Sequence, residues 1–427
     1  MQFILNKIHI WVWALCFFVS LTCVQGRVGL GPGVQEWDYV EVRQGAHLFY
    51  WLLYTTANVS HFTDRPLVIW LQGGPGVAST GSGVFEQLGP IDIEGRPRES
   101  SWVRHVNVLF VDSPVGTGFA YVEEHGRYAR TNRQIALDLV RLMEQFLGQY
   151  PAFRSVPMHI FSESYGGKMA PEFALELHLA RKMGRVDCRL QSVVVGNPWT
   201  SPLDSILSYA PFLLQMGIVD EDGYRRISRL AGELAALVYG EKWTSALEKA
   251  NEVQAEITGS TGGVFLYNTQ RRVHEDEDYR YGEDPQMSHF IRTNVTQALG
   301  LGKMPVWMEQ NSTVFVRLAP DIFKPATHIV TRLLEETSIK VGIYSGILDL
   351  LCATPGTVNW INRLKWGGRS EYAKAPRTAF RIDGMLEGYE KHGGRLSMFW
   401  VYRAGHLVQQ ENPAAMGYIL KYFTKYG

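Results

Sequence analysis

Short, nearly continuous apolar runs punctuate the chain: "PLVIWLQ" at 66–72, "VNVLFVDS" at 106–113, "VPMHIF" at 156–161, "QSVVVGN" at 191–197, "IKVGIYSG" at 339–346 and "SMFWVYRAG" at 397–405. Runs without polar alternation are what strands covered on both faces of a parallel or mixed sheet require. Between them the period changes. In "TNRQIALDLVRLMEQFLGQYP" the residues Ile135, Leu139, Met143 and Phe146 fall on one face of a helix, and Pro151 stops it after Tyr150. Near the end of the sequence Asn412 suits an N-cap and Pro413 the first helical position, with Met416, Ile419, Leu420 and Phe423 on one side. Strands alternating with helices predict an open α/β sheet, mostly parallel.

From about Ser201 to Pro320 the alternation lapses. "DSILSYAPFLLQMG" and "GYRRISRLAGELAALVYGEKWTSALEKANEVQAEI" read as helices, and "VHEDEDYRYGEDP" as a charged, solvated loop. The expected organisation is a core in two parts, 27–200 and 321–427, with a largely helical cap inserted over 201–320.

Composition changes the picture in two ways. Lysine plus arginine equals aspartate plus glutamate at 42 each, with no basic stripe interleaved with aromatics, so a nucleic-acid partner is not expected. The opening residues place Lys7 and His9 before an apolar run from Ile10 to about Leu21, then the small residues Val24 and Gly26. This is the layout of a signal peptide over 1–26, and the run is short for a bilayer span. No later stretch is apolar enough to span a membrane, so a secreted or lysosomal chain is expected. In that setting Asn58, Asn294 and Asn311, each in an Asn-X-Ser/Thr triplet, become glycosylation acceptors. Only Cys188 and Cys352 follow the leader, which leaves no disulfide framework and favours free thiols.

The candidate chemistry sits at strand ends. "VPMHIF-SESYGG-KMAPEFALEL" reads strand, turn, helix, with Ser164 at the apex of the turn and Gly166 and Gly167 after it. A serine so placed is pushed into the crevice at the C-terminal edge of a sheet, and small neighbours are needed because main chain approaches main chain. The general elbow is Gly-x-Ser-x-Gly, and Ser162 takes the first glycine position. A serine nucleophile needs a base and an orienting acid, in the chain order Ser, Asp, His on this kind of sheet. Asp349 in "YSGILDLLC" and His406 in "VYRAGHLVQQ" each follow a strand in that order. Singly, Asp349 also suits a helix cap and His406 an ordinary loop histidine; together they read as a triad.

These blocks resemble the serine carboxypeptidases. "WLQGGPGVASTGSGVFEQLGP" is similar to that family's Trp-Leu-Asn-Gly-Gly-Pro-Gly segment, "VDSPVGTGFAYV" to its Asp-x-Pro-x-Gly-x-Gly-Phe-Ser-Tyr segment, and "SESYGG", "LDLLC" and "AGHLV" to its nucleophile, aspartate and histidine motifs. The likeness runs from about Val34 to the end and looks closest to the family's retinoid-inducible branch. It implies an α/β-hydrolase fold and a serine-type exopeptidase with the triad Ser164, Asp349 and His406. It also implies an oxyanion hole from the N–H groups of Gly74 and Tyr165, and a site for the substrate's free α-carboxylate at Gln72, the Gly73 N–H, Glu86 and Glu163. No cofactor and no metal is implied, and the partners are peptides with a free C-terminus.

A carboxylate beside two glutamates requires shared protons, so an acidic optimum is expected. Departures from the family pattern are Gln72 for asparagine, Val77 for a bridging cysteine, and "GHLVQQ" for Gly-His-Met-Val-Pro. Acyl transfer or ester hydrolysis on the same apparatus is the alternative enzyme reading; a catalytically silent secreted binding protein is the other.

Overall fold

A computed structural model describes residues 26–273, 284–302 and 305–426. The expected leader, apart from Gly26, and most of the expected charged loop lie outside the described residues. The strands are β1 (Gln35–Arg43), β2 (Ala46–Leu53), β3 (Leu67–Leu71), β4 (Asn107–Asp112), β5 (Tyr121–Val122), β6 (Pro157–Glu163), β7 (Arg189–Gly196), β8 (Lys340–Gly346), β9 (Thr378–Ile382), β10 (Met385–Gly393) and β11 (Leu396–Val401). They form one sheet in the order β1-β2-β4-β3-β6-β7-β8-β11-β10-β9, with β5 paired to β2.

Every apolar run lands on a strand of its centre, from β4 to β11, and these strands pair in parallel. Antiparallel strands close both ends, β1 and β2 on one side and β10 and β9 on the other, so the sheet is mixed. Apolar side chains cover both faces. Ile69 and Ile160 belong to one buried cluster with Ile135, Leu139 and Met143, while Val68, Phe161 and Val194 pack on the other face with Met416, Ile419 and Phe423.

The first predicted helix is α1 (Asn132–Gln149), capped by the Thr131 side chain on the Gln134 N–H, and the last runs over Pro413–Thr424 with Asn412 as its side-chain cap. Helix α2 (Gly166–Lys182) follows β6. Between β7 and β8 the described residues form helices, among them Pro202–Gln215, Glu221–Tyr239, Trp243–Thr261, Ser312–Ile322 and Thr327–Glu336. None of the helices is long and apolar enough to cross a membrane, among the described residues. Cys188 and Cys352 are free and buried.

Of the expected glycosylation sites, Asn58 and Asn294 are exposed. Asn311 is a correction. It is buried, its Nδ2 donates to the Gly116 carbonyl at 2.7 Å, and its Oδ1 caps the helix Ser312–Ile322 through the Thr313 N–H at 2.8 Å. A glycan on Nδ2 would have to enter this buried, packed position.

A buried ion pair joins the helical stretch to α2. Lys168, 2 % exposed, donates to the carbonyl of Asp321 and lies 3.1 Å from its Oδ2, which also accepts from the Tyr165 hydroxyl at 3.3 Å. Removing one member leaves the other charge buried and alone. Lys168→Met is therefore expected to lower the unfolding free energy by about 3 kcal/mol, and adding Asp321→Asn to return part of it; a denaturant titration in which the single variant matches the parent would refute this.

Candidate active site

Register brings distant residues to one edge. Ser162 of β6 faces Leu71 of β3, Glu163 faces Gly196 of β7, Gly196 faces Tyr344 of β8, and Gly346 faces Val401 of β11. The residues that leave these strand ends are Gln72, Ser164, Asn197, Asp349 and His406, so the crevice side of the sheet collects them.

Ser164 adopts φ 58°, left-handed for a residue with a side chain. It is held there by its N–H to the Gly196 carbonyl at 2.9 Å, and by its carbonyl accepting from the Gly167 and Trp199 N–H groups at 2.8 Å each. The turn tolerates no bulk beside it. A Cβ on Gly166 would sit 1.6 Å from Ser162 Oγ, one on Gly167 2.5 Å from Pro198, and one on Gly73 2.7 Å from the Ser164 Cβ. Ser162 instead donates its hydroxyl to the Leu71 carbonyl at 2.6 Å, which makes it a cross-strand tie. The N–H groups of Gly73, Gly74 and Tyr165 make no hydrogen bond among the described residues; Tyr165 follows Ser164 in the chain, Gly73 approaches it closely, and Gly74 is the next residue after Gly73.

His406 Nδ1 lies 2.8 Å from Asp349 Oδ2, with both side chains buried. The other oxygen, Asp349 Oδ1, accepts the Cys352 N–H at 3.1 Å. Burial alone would disfavour the imidazolium; Asp349, aided by Glu163 and Glu411, outweighs it and raises the pKa of His406. His406 Nε2 is buried without a hydrogen-bond partner among the described residues, Ser164 included. Two residues that carry no sequence signal fix this loop. Asn197 donates Nδ2 to the carbonyls of Gly405 and His406 at 3.0 and 2.6 Å, and the Tyr267 carbonyl takes the His406 N–H at 2.7 Å while its ring stands edge-on to the imidazole at 4.4 Å.

The Cys352 thiol lies with the Asp349 and His406 ligand atoms inside a 4.8 Å cluster. The cluster's polar atoms already serve the Asp349–His406 bond, and burial, with Asp349 adding, keeps the thiol well above its ordinary pKa and protonated.

Glu163 is 2 % exposed. Its Oε1 accepts from the Gln72 side-chain amide and from Gln87 Nε2 at 3.1 Å. The orientation of Gln72 is set by Trp70, whose Nε1 donates to Gln72 Oε1 at 2.7 Å and so turns the amide nitrogen toward Glu163. Glu163 Oε2 and Gln87 Oε1 are buried without partners. Burial pushes the Glu163 carboxyl up to about 7, against the lowering influence of His406 and the two amides.

The residue that hydrogen-bonds Glu163 from this segment is Gln87, the neighbour of the expected Glu86. Glu86 instead lines an open pocket with Phe85, Arg98 and Gln410. Both residues ride on the helical segment Ser79–Leu88, broken at Gly81, whose start is tied to β4 by Asp112 accepting from the Thr80 N–H and hydroxyl at 3.0 and 2.8 Å.

The sequence profile of the serine carboxypeptidase family matches residues 30–426. The chain belongs to that family. Among curated relatives, this carboxypeptidase is 33 % identical to the retinoid-inducible serine carboxypeptidase of Homo sapiens over 96 % of both chains. It is 30 % identical to serine carboxypeptidase-like 51 of Arabidopsis thaliana over 93 % of this chain and 94 % of that one. Among solved structures, a prohormone-processing carboxypeptidase of Saccharomyces cerevisiae superposes with a TM-score of 0.80 at 22 % identity, covering 92 % of this chain and 91 % of the other. That likeness bears on the fold, an α/β hydrolase, and the carboxypeptidase is by its family a serine-type hydrolase acting on peptides.

Proposed function

We propose that this carboxypeptidase releases the C-terminal residue of peptides through an acyl-enzyme, with Ser164 as nucleophile, His406 as base and Asp349 as its orienting acid. The observation that carries the reading is Glu163: a buried carboxyl beside Ser164, with one oxygen saturated by two amides and the other unpaired. Because Oε1 already accepts two N–H donors, a proton on this carboxyl belongs on Oε2, where it can be donated to a substrate carboxylate. Gln72 and Gln87 hold that proton donor in place, and the Gly73 N–H adds a further donor. A non-peptidic ester has no use for such a group, which sets the esterase and acyltransferase reading second.

In the reaction His406 Nε2 takes the Ser164 proton as Oγ attacks the terminal peptide carbonyl; the carbonyl oxygen, now negative, is stabilised by the Gly74 and Tyr165 N–H groups. His406 returns the proton to the departing amine, and the free amino acid leaves. Water, activated by the same imidazole, attacks the acyl carbon and regenerates Ser164. Glu163 binds carboxylate only while protonated, so affinity falls as pH rises through about 7. An acidic optimum and service in a lysosome or an acidic secreted fluid follow from this reading.

The test uses a blocked dipeptide and its C-terminal amide from pH 4 to pH 8, beside Ser164→Ala. A preference for the acid over the amide that is greatest at low pH, and a loss of release by at least about a thousandfold in Ser164→Ala, are expected. Equal turnover of acid and amide would discard the role of Glu163.

A further inference from the structure

Lys168 and Asp321 form an ion pair almost closed to solvent, and a pair so placed seldom stabilises a fold more than apolar residues of the same volume would. Its position points to a second use. Asp321 sits at the end of the helix Ser312–Ile322, and Lys168 stands one helical turn beyond Tyr165, whose N–H is a proposed oxyanion donor. The Tyr165 hydroxyl joins the pair, donating to Asp321 Oδ2 at 3.3 Å, while the Lys168 ammonium lies 5.2 Å from the centre of the Tyr165 ring. Burial, with Asp321 adding, holds that hydroxyl well above its ordinary pKa, so it stays a donor. Trp199 makes a second tie at this end. Its Nε1 donates to the Ile322 carbonyl at 3.1 Å and its N–H to the Ser164 carbonyl at 2.8 Å.

The start of the same helix holds the other oxyanion loop. Gly74 lies in a turn closed by the Val77 N–H on the Gly73 carbonyl at 3.4 Å. The residues leading into the helix are fastened to that turn: the Asn311 N–H donates to the Gly76 carbonyl at 2.9 Å, the Glu309 carbonyl accepts the Ala78 N–H at 2.8 Å, and Val77 pairs with Gln310. The contact is close. A Cβ on Gly76 would stand 3.0 Å from the Asn311 carbonyl oxygen and 3.1 Å from the Val314 Cβ. Eleven residues of helix make a rod of about 16 Å. One rod thus carries the Gly74 turn at its start and the Tyr165 side chain at its end, and an oxyanion is stabilised only where both N–H groups point at one spot.

We propose that the helix Ser312–Ile322 sets the placement of the two oxyanion donors, with Lys168 and Asp321 as positioning residues that act through the Tyr165 hydroxyl. The inference rests on the proposed acyl-enzyme reading and extends it to residues outside the crevice. Losing the link keeps both N–H groups but frees the Tyr165 end to shift. Ground-state binding, which depends on Glu163 and Gln72, is untouched, and the step in which charge appears on the carbonyl oxygen slows.

The experiment measures kcat and KM of the full protein for a blocked dipeptide, together with inhibition by two ligands. One is a blocked amino-acid aldehyde: Ser164 Oγ adds to its carbonyl carbon, the hydroxyl proton passes to His406 Nε2, and the former carbonyl oxygen carries the negative charge in the hole. The other is the released amino acid, which reaches only the carboxylate site. Tyr165→Phe keeps the N–H and the ion pair and loses only the hydroxyl. It is expected to lower kcat about tenfold and to weaken the aldehyde by the same factor, with KM and inhibition by the amino acid within about twofold of the parent. Lys168→Met with Asp321→Leu, apolar side chains of similar volume, is expected to do the same, and Tyr165→Phe added to that background to lower kcat no further. Melting curves show whether each variant is folded at the assay temperature, and Tyr165→Phe carries the test if the double variant is not. An unchanged kcat and aldehyde affinity in Tyr165→Phe overturns the proposal while leaving the peptidase reading intact. So does a loss that falls equally on KM and on binding of the amino acid, which would make the three residues part of the fold alone. A parent that releases nothing from the dipeptide removes the peptidase reading and this inference together.

Discussion

Replacing Asp349 by asparagine is expected to lower kcat by about 10⁴-fold with little change in KM. The size of the effect follows from which way the new amide must face. Asp349 Oδ1 accepts the Cys352 N–H at 3.1 Å, and asparagine keeps that bond only by leaving its carbonyl there. Its NH₂ then points at His406 Nδ1, at present 2.8 Å from a carboxylate oxygen. Nδ1 becomes an acceptor, the ring proton moves to Nε2, and the atom that should take the Ser164 proton already holds one. The carboxylate is also what raises the pKa of His406 against burial, so the acid limb of the residual kcat profile shifts to lower pH. Steady-state kinetics from pH 4 to pH 8 would decide it; a drop of less than tenfold would remove Asp349 from the mechanism.

Glu163→Gln is expected to abolish the pH dependence of KM and to erase most of the preference for a free C-terminal acid over its amide. In the parent the carboxyl, pushed up to about 7, is neutral at acidic pH and donates from Oε2. Above about 7 it ionises and faces the substrate's own negative charge without a donor between them, so KM for the acid rises while KM for the amide does not. Glutamine carries no titrating proton, and its KM should stay level across the range. Stability moves with the same sign. A carboxyl whose folded pKa lies above its unfolded value favours the fold below the unfolded pKa, and that contribution is lost as pH rises from 4.5 to about 7. The raised His406 acts in the same direction. Melting curves of the variant should therefore depend less on pH in that window; a KM profile identical to the parent's would place the titrating group elsewhere.

Much of this was legible in the sequence because buried parallel strands are written as apolar runs, and because Ser164, Asp349 and His406 each follow one. The outer strands were not. β9 and β10 carry exposed or half-buried residues such as Arg381, Met385 and Lys391 among buried ones, so no continuous run marks them. The choice between Glu86 and Gln87 was equally out of reach. Successive helical side chains point about 100° apart, and the non-helical backbone at Gly81 resets the phase of the segment that carries both. Tyr267 and Asn197 gave no motif at all: Tyr267 holds the His406 N–H through its own carbonyl, which any residue offers, and Asn197 works through a single side-chain amide that no spacing marks. Asn311 shows the reverse error, a sequence triplet whose meaning depends on burial that the triplet does not encode.

The left-handed Ser164 has an evolutionary side. Glycine would adopt φ 58° without the cost of about 1 kcal/mol or more that a side chain incurs there. Selection for stability alone therefore pulls this position toward glycine, and each such drift would yield a sturdier chain with no hydroxyl to react. A serine kept at the apex is thus a residue retained against the grain of the fold, and a descendant released from its reaction would be expected to relax first at this one φ.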